Sequence, residues 1–168
     1  MLRNKVNKGL LIAALSVSAT FSATFSATFS AADSCADLGK RLTFGANGTV
    51  TDSSTKLTWS RCNLGQAWKG DSCTGNSAKY SYDQAKAVIS ASKSAEQGYR
   101  LPTLDELMSI ISWDCGEPAV YKTWTSIESG FYWTSSAAFG GFQNTVLMTT
   151  GDEYPMNQDI EAWVLLVK

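Results

Sequence analysis

The stretch Gly98-Tyr99-Arg100-Leu101-Pro102-Thr103-Leu104-Asp105-Glu106-Leu107-Met108-Ser109-Ile110-Ile111 constrains the fold of this chain more than any other. Pro102 restricts Leu101 to an extended conformation, so the backbone enters straight. Thr103 and Glu106 then form a capping box: the threonine oxygen accepts from the amide of the third helical residue, and the glutamate reaches back to the amide of the cap. Asp105 and Glu106 also place negative charge at the positive end of the helix dipole. Leu104, Leu107, Met108 and Ile111 recur at helical spacing, which predicts a helix to Ile111 with one apolar face. Arg100, just ahead of the cap, is expected to make a buried pair with a carboxylate near this helix.

Ser81 and Gln84 are a second capping box, opening a helix predicted to reach about Lys93. Tyr82, Ala85, Val88 and Ile89 face inward in that reading, with Lys86 and Lys93 toward water. Leu42-Thr43-Phe44 and Thr49-Val50-Thr51 alternate as strands on either side of an Asn47-Gly48 turn, and Leu57-Thr58-Trp59 follows. Further strands are expected at Tyr132 to Ser136, with Tyr132 and Trp133 in the core on its two faces, at Thr145 to Thr149, and at Trp163 to Val167. Arg61 to Lys79 reads as a polar loop carrying Gly65, Gly70 and Gly75, and Asp152 to Glu161 as an acidic one.

The first residues read as an address. Arg3, Lys5 and Lys8 precede the apolar run Gly9 to Ala19, and Ser30 and Ala32 supply the small residues of a cleavage site. That run is too short to span a membrane. Residues 1–32 are therefore expected to be a signal peptide and residues 33–168 one exported domain, periplasmic or secreted, with no membrane insertion. Removal of Arg3, Lys5 and Lys8 takes the 14 basic residues to 11 against 15 acidic ones, a net charge of −4. Such a domain is a poor partner for nucleic acid. Four cysteines, an even number in an oxidising compartment, imply two disulfides with three possible pairings. Cys62 and Cys73 flank a short Gly- and Asn-containing loop, which favours a local bridge and leaves Cys35 to join Cys115. Trp68, inside that loop, is expected to pack onto the bridge.

Tyr99-Arg100-Leu101-Pro102-Thr103 with Glu106-Leu107, followed by Tyr132-Trp133-Thr134-Ser135-Ser136, resembles the domain that ends the Legionella collagen-like adhesin. Asn47-Gly48-Thr49-Val50-Thr51-Asp52, Leu57-Thr58-Trp59 and Ala162-Trp163-Val164-Leu165-Leu166-Val167 extend the resemblance over roughly residues 41–168. The Arg-Leu-Pro-Thr-x-x-Glu core is similar as well to formylglycine-generating enzymes, which resemble C-type lectins in fold. The implied architecture is α+β and C-type lectin-like, with two helices packed on a twisted, mostly antiparallel sheet. The Gly-x-y stalk of the adhesin is absent from this sequence.

Catalysis finds little support. The chain has no histidine, which rules out Ser-His-Asp and Cys-His arrangements. Formylglycine-generating enzymes need a redox-active cysteine pair near the C-terminus, and no cysteine follows Cys115. No cofactor motif is present and the cysteine spacing fits no zinc pattern. Asp152, Asn157, Asp159 and Glu161 offer hard oxygen donors for calcium, but the lectin signatures that hold it are missing, so the loop reads as solvated surface and no metal is assigned. What remains is Phe139-Gly140-Gly141-Phe142-Gln143-Asn144, two aromatics on a Gly-Gly tip followed by two amides. Such a tip suits stacking on a sugar ring or insertion into a partner, with Gln143 and Asn144 giving hydrogen bonds. The expected function is a non-catalytic binding or adhesion module for a glycan or protein surface, through Phe139, Phe142, Gln143 and Asn144. A periplasmic inhibitor or immunity-type protein that blocks a protein partner is the alternative.

Overall fold

The computed structural model of the protein describes residues 34–168; the expected leader lies outside the described residues. Helix α1 (Cys35–Arg41) starts at Ser34, whose hydroxyl accepts from the Asp37 amide at 3.2 Å, and runs into strand β1 (Leu42–Phe44). β1 pairs antiparallel with β2 (Thr49–Asp52), and β2 with β3 (Thr58–Ser60), with Val50 opposite both Phe44 and Trp59. A two-stranded hairpin, β4 (Ala67–Lys69) and β5 (Ser72–Thr74), occupies the region read as loop. Helices α2 (Tyr82–Ala91), α3 (Lys93–Glu96) and α4 (Leu104–Met108) come next. A second three-stranded antiparallel sheet follows, in the order β6 (Phe131–Ala137), β7 (Gln143–Leu147), β8 (Asp152–Met156). The fold is α+β with antiparallel sheets.

β6 divides the interior. Tyr132 points into a core with Val50, Trp59, Leu107, Trp124 and Val146, while Trp133 joins Tyr82, Ala85, Ile89, Leu101 and Val164 on the other side. Both aromatics are fully buried, as strand alternation requires. Each finds a polar partner. The Trp133 indole donates to the Tyr80 carbonyl at 2.7 Å, and the Tyr132 hydroxyl donates to Asn63 Oδ1 at 3.1 Å. Burial raises the Tyr132 phenol far above its ordinary value.

Both disulfides have the expected pairing. Cys35 is bonded to Cys115 with Cα atoms 4.9 Å apart, and Cys62 to Cys73 at 5.6 Å. Trp68 stands opposite Cys73 in the β4–β5 register, but its indole turns to the preceding turn and donates to the Ala46 carbonyl at 2.8 Å. Its ring lies against Gly48, where an added Cβ would come within 2.4 Å of the Trp68 Cβ. A buried ion pair ties the first sheet to the central helix: Arg41 donates to the Asp52 carboxylate and to the Ser109 carbonyl.

Several expectations are corrected. α4 stops at Met108: the Ser109 hydroxyl donates to the Glu106 carbonyl at 2.6 Å, the acceptor the Ile110 amide would use, the next amides tighten to i−3 bonds (Ile111 to the Met108 carbonyl, 3.1 Å), and the Ser112 amide leaves for the Ala119 carbonyl. Ile110 and Ile111 are still buried. α2 ends at Ala91, since Ser92 caps a separate turn and Lys93 opens α3. Val88 is 38% exposed, outside the narrow stripe of Tyr82, Ala85 and Ile89. The segment from Ala162 to Lys168 is not a strand. Trp163 bonds to Phe131 and Trp133, Val164 to Leu64, Leu166 to Ser60, Val167 to Arg100 and Lys168 to Thr58, so its partners change every residue or two.

Candidate functional site

The candidate contact site is the turn that joins β6 to β7. The Ala138 amide donates to the Phe142 carbonyl at 2.9 Å, and the Phe142 amide to the Phe139 carbonyl at 3.2 Å. Closing so tight a loop puts Gly140 at φ 65° and Gly141 at φ 83°, backbone space that favours glycine. The two glycines thus build a hydrogen-bonded turn, not a flexible hinge. Phe139 is 79% exposed and Phe142 38%, with ring centroids 6.1 Å apart and planes inclined at 32°. Gln158 braces the turn from the far side, its Nε2 donating to the Gly141 carbonyl at 3.0 Å. The bond ties the turn after β8 to the tip.

Gln143 is a correction. Its side chain is 3% exposed and donates to the Thr134 carbonyl at 3.1 Å, so the amide completes the sheet interior and offers nothing at the tip. The cause is alternation: Gln143 shares a face of β7 with the buried Thr145. Asn144 is half-buried and makes only a long contact to the Ala137 carbonyl, 3.4 Å.

Below the tip, the Arg-Leu-Pro-Thr segment holds its predicted geometry. Thr103 Oγ1 accepts from the Glu106 amide at 3.1 Å, and Glu106 Oε2 from the Thr103 amide at 2.8 Å. Arg100 reaches the same carboxylate with both arms at 2.7 Å. The Arg100 guanidinium, ahead of the Thr103 bonds, holds the Glu106 carboxyl below the usual carboxylate range. The pair is not buried as expected, since half of the Arg100 side chain is exposed. Pro102 and its neighbours meet the second sheet through Ser135, whose amide donates to the Pro102 carbonyl at 2.7 Å.

The model of the family described as the Lcl C-terminal domain matches residues 48–168. The chain belongs to that family. The match takes in the capped α4, β6 and the closing segment that carry the resemblance, and it begins after α1 and β1. No curated protein and no solved structure matches.

Within this Lcl C-terminal domain the acidic residues after β7 do not converge. Asp152 and Glu153 lie on β8, where alternation sends them to opposite faces, and Asp159 and Glu161 follow beyond Met156. The segment expected as a loop is thus half edge strand, in register with β7. Among the described residues no group of three His, Cys, Asp or Glu side chains is placed to hold a metal ion. The region is uniformly anionic: between Lys122 and Lys168 there is no lysine or arginine, but there are Glu128, Asp152, Glu153, Asp159 and Glu161. Sequence reading missed Gln158 as a member of the tip. The contact that recruits it spans 17 residues, and nothing local signals it.

Proposed function

We propose that this protein is an exported, non-catalytic binding module whose contact surface is the Phe139–Phe142 tip, flanked by Asn144. The observation that carries the reading is the pair of phenyl rings held side by side on a closed turn, one of them almost wholly in water. Exposed aromatics cost solubility unless something covers them, and rigid rings are the usual anchors of binding surfaces. Membership of the Lcl C-terminal domain family and two disulfides support an exported, adhesin-related role. We take the scaffold as C-type lectin-like, which the two capped helices against antiparallel strands support. The ligand is a protein surface or an uncharged glycan. Sulfated glycans are disfavoured because residues 123–167, which include the tip, carry five carboxylates and no lysine or arginine.

Phe139→Ala and Phe142→Ala test this directly. As anchors they should leave the melting temperature nearly unchanged while weakening partner binding by at least about 2 kcal/mol each. Glycan-array binding of the purified protein, beside capture of a single protein partner from the native compartment, identifies the ligand class. If both variants instead lost roughly 3 to 5 kcal/mol of stability, the rings would be core and the reading would fall.

A further inference from the structure

Arg61 stands apart from the other described arginines. Arg41 is paired with Asp52 and Arg100 with Glu106. Among the described residues no carboxylate comes within ion-pair distance of the Arg61 guanidinium, and no acceptor takes a hydrogen bond from it. The group is held by rings instead: its central carbon lies 4.2 Å from the Trp68 ring centroid and 5.2 Å from that of Phe44. Stacking uses the faces of a planar guanidinium and leaves the N–H groups along its edge unspent. The backbone of Arg61 is fixed as well. Its carbonyl accepts from the Trp124 indole at 3.0 Å and from the Ser126 hydroxyl, and its amide donates to the Gly48 carbonyl at 2.9 Å. The next residue, Cys62, is bridged to Cys73 of β5, which ties the β4–β5 hairpin to this position.

Arg61 lines a hollow of about 260 Å³ together with Gln66, Trp68, Asp71, Ser126 and Glu128. Three of these neighbours bring acceptors that the fold leaves open. Gln66 Oε1 is buried and has no hydrogen-bond partner. The exposed Asp71 takes one bond, from the adjacent Ser72 hydroxyl at 3.1 Å. The exposed Glu128 carboxylate takes none from a described residue. Unspent donors and unspent acceptors therefore line one hollow without meeting each other, and a buried acceptor left unpaired is costly.

We propose that this hollow binds a small zwitterion, of which a free α-amino acid is the simplest: its carboxylate is taken by Arg61 and its ammonium by Gln66, Asp71 and Glu128. A carboxylate has two oxygens, which the edge of a guanidinium meets with parallel bonds. An ammonium has three donors and no acceptor, so it needs acceptors of the kind that Gln66 and the two carboxylates supply. Charge narrows the class. Asp71 and Glu128 repel a phosphate or sulfate, and repel a simple carboxylate that brings no cation of its own. A simple amine would leave Arg61 unspent. The volume is below the roughly 300–1,000 Å³ of drug-sized sites, so the ligand is small. The hollow shares no residue with the Phe139–Phe142 tip, and its ligand is independent of whatever the tip contacts.

Calorimetric titration of the purified protein tests this, with the common L-amino acids added singly and with acetate, methylammonium and inorganic phosphate as controls. At least one amino acid should bind about tenfold or more tightly than every control. Asp71→Asn and Glu128→Gln change exposed side chains and should melt like the wild type, yet each should raise the dissociation constant of that amino acid by about fivefold. Arg61→Lys keeps the charge and loses the paired donors, and should raise it by about tenfold or more. If Arg61→Lys also melts lower, because it gives up the packing on Trp68, the two carboxylate variants carry the test. Phe139→Ala should bind the amino acid like the wild type. No binding of any amino acid below roughly 10 mM would overturn the proposal. So would acetate or phosphate binding as tightly as the best amino acid, or binding that Asp71→Asn and Glu128→Gln both leave unchanged. Loss of binding in Phe139→Ala would place the ligand at the tip and overturn it as well.

Discussion

Glu106 is the residue whose replacement asks most of the structure. Its carboxylate accepts two bonds from Arg100 at 2.7 Å and one from the Thr103 amide at 2.8 Å. Glutamine keeps the capping bond, because a capping box accepts either residue, and loses the ion pair. Arg100 is half exposed, so that loss is screened and amounts to about 0.5–1 kcal/mol. Alanine loses the cap as well, for roughly 1.5–2 kcal/mol in all, and Thr103→Ala alone costs about 1 kcal/mol. Because Thr103 and Glu106 bond reciprocally, the double variant Thr103→Ala/Glu106→Ala should cost less than the two singles together, by at least about 0.5 kcal/mol. Acid adds an independent check. The carboxyl is held below its unfolded value, chiefly by Arg100, so its stabilisation is complete above the ordinary carboxylate range and is lost as pH falls through the depressed folded value. The gap between wild type and Glu106→Gln should therefore be full at neutral pH and close in acid. Urea unfolding followed by tryptophan fluorescence, with both disulfides intact, measures every member of the series. Strict additivity would refute the reciprocal cap, and a gap that ignores pH would refute the Arg100–Glu106 pair.

The disulfides and the buried pair make two more tests. Replacing both Cys35 and Cys115 by serine should cost roughly 4 kcal/mol on the chain-entropy model, read from denaturation midpoints, and non-reducing peptide mapping should find no Cys35–Cys62 peptide. Asp52→Asn should cost about 3–5 kcal/mol in the same urea assay, because it removes the buried carboxylate to which Arg41 donates; a loss below about 1 kcal/mol would show that the pair is not desolvated.

What could be read from the amino acids alone was what is decided within a few residues. Both capping boxes are present because each needs only residues three apart and no tertiary support. The end of α4 was misplaced because apolar spacing continues through Ile110 and Ile111, while the bonds that end the helix are a serine hydroxyl on the Glu106 carbonyl and the turn of the Ser112 amide to Ala119. β4 and β5 escaped notice because they are mostly exposed, with only Trp68 and Cys73 partly buried, so no apolar face marks them. β8 looked like a loop because of two acids and Pro155, the residues that protect a sheet edge from further pairing. At the tip, the aromatics and their glycines were legible, while the inward turn of Gln143 depends on register with β6, which no local pattern supplies. A hollow over the second core, lined by Tyr82 and Ile89 of α2, Ala95 of α3, Leu101, and Ser135 of β6, exists only in three dimensions.

The stitching of the 162–168 segment into both sheets has a bearing on when this protein can fold. Leu166 and Lys168 bond the β3 region, Val167 bonds Arg100, and Trp163 bonds β6, so neither core closes until residues 162–168 are in place. Contacts between such distant parts of a sequence form slowly, and here the N-terminal strands have no early substitute for them. The two cores therefore depend on one and the same short segment. Loss of residues 162–168 should accordingly open both cores at once, not fray one edge.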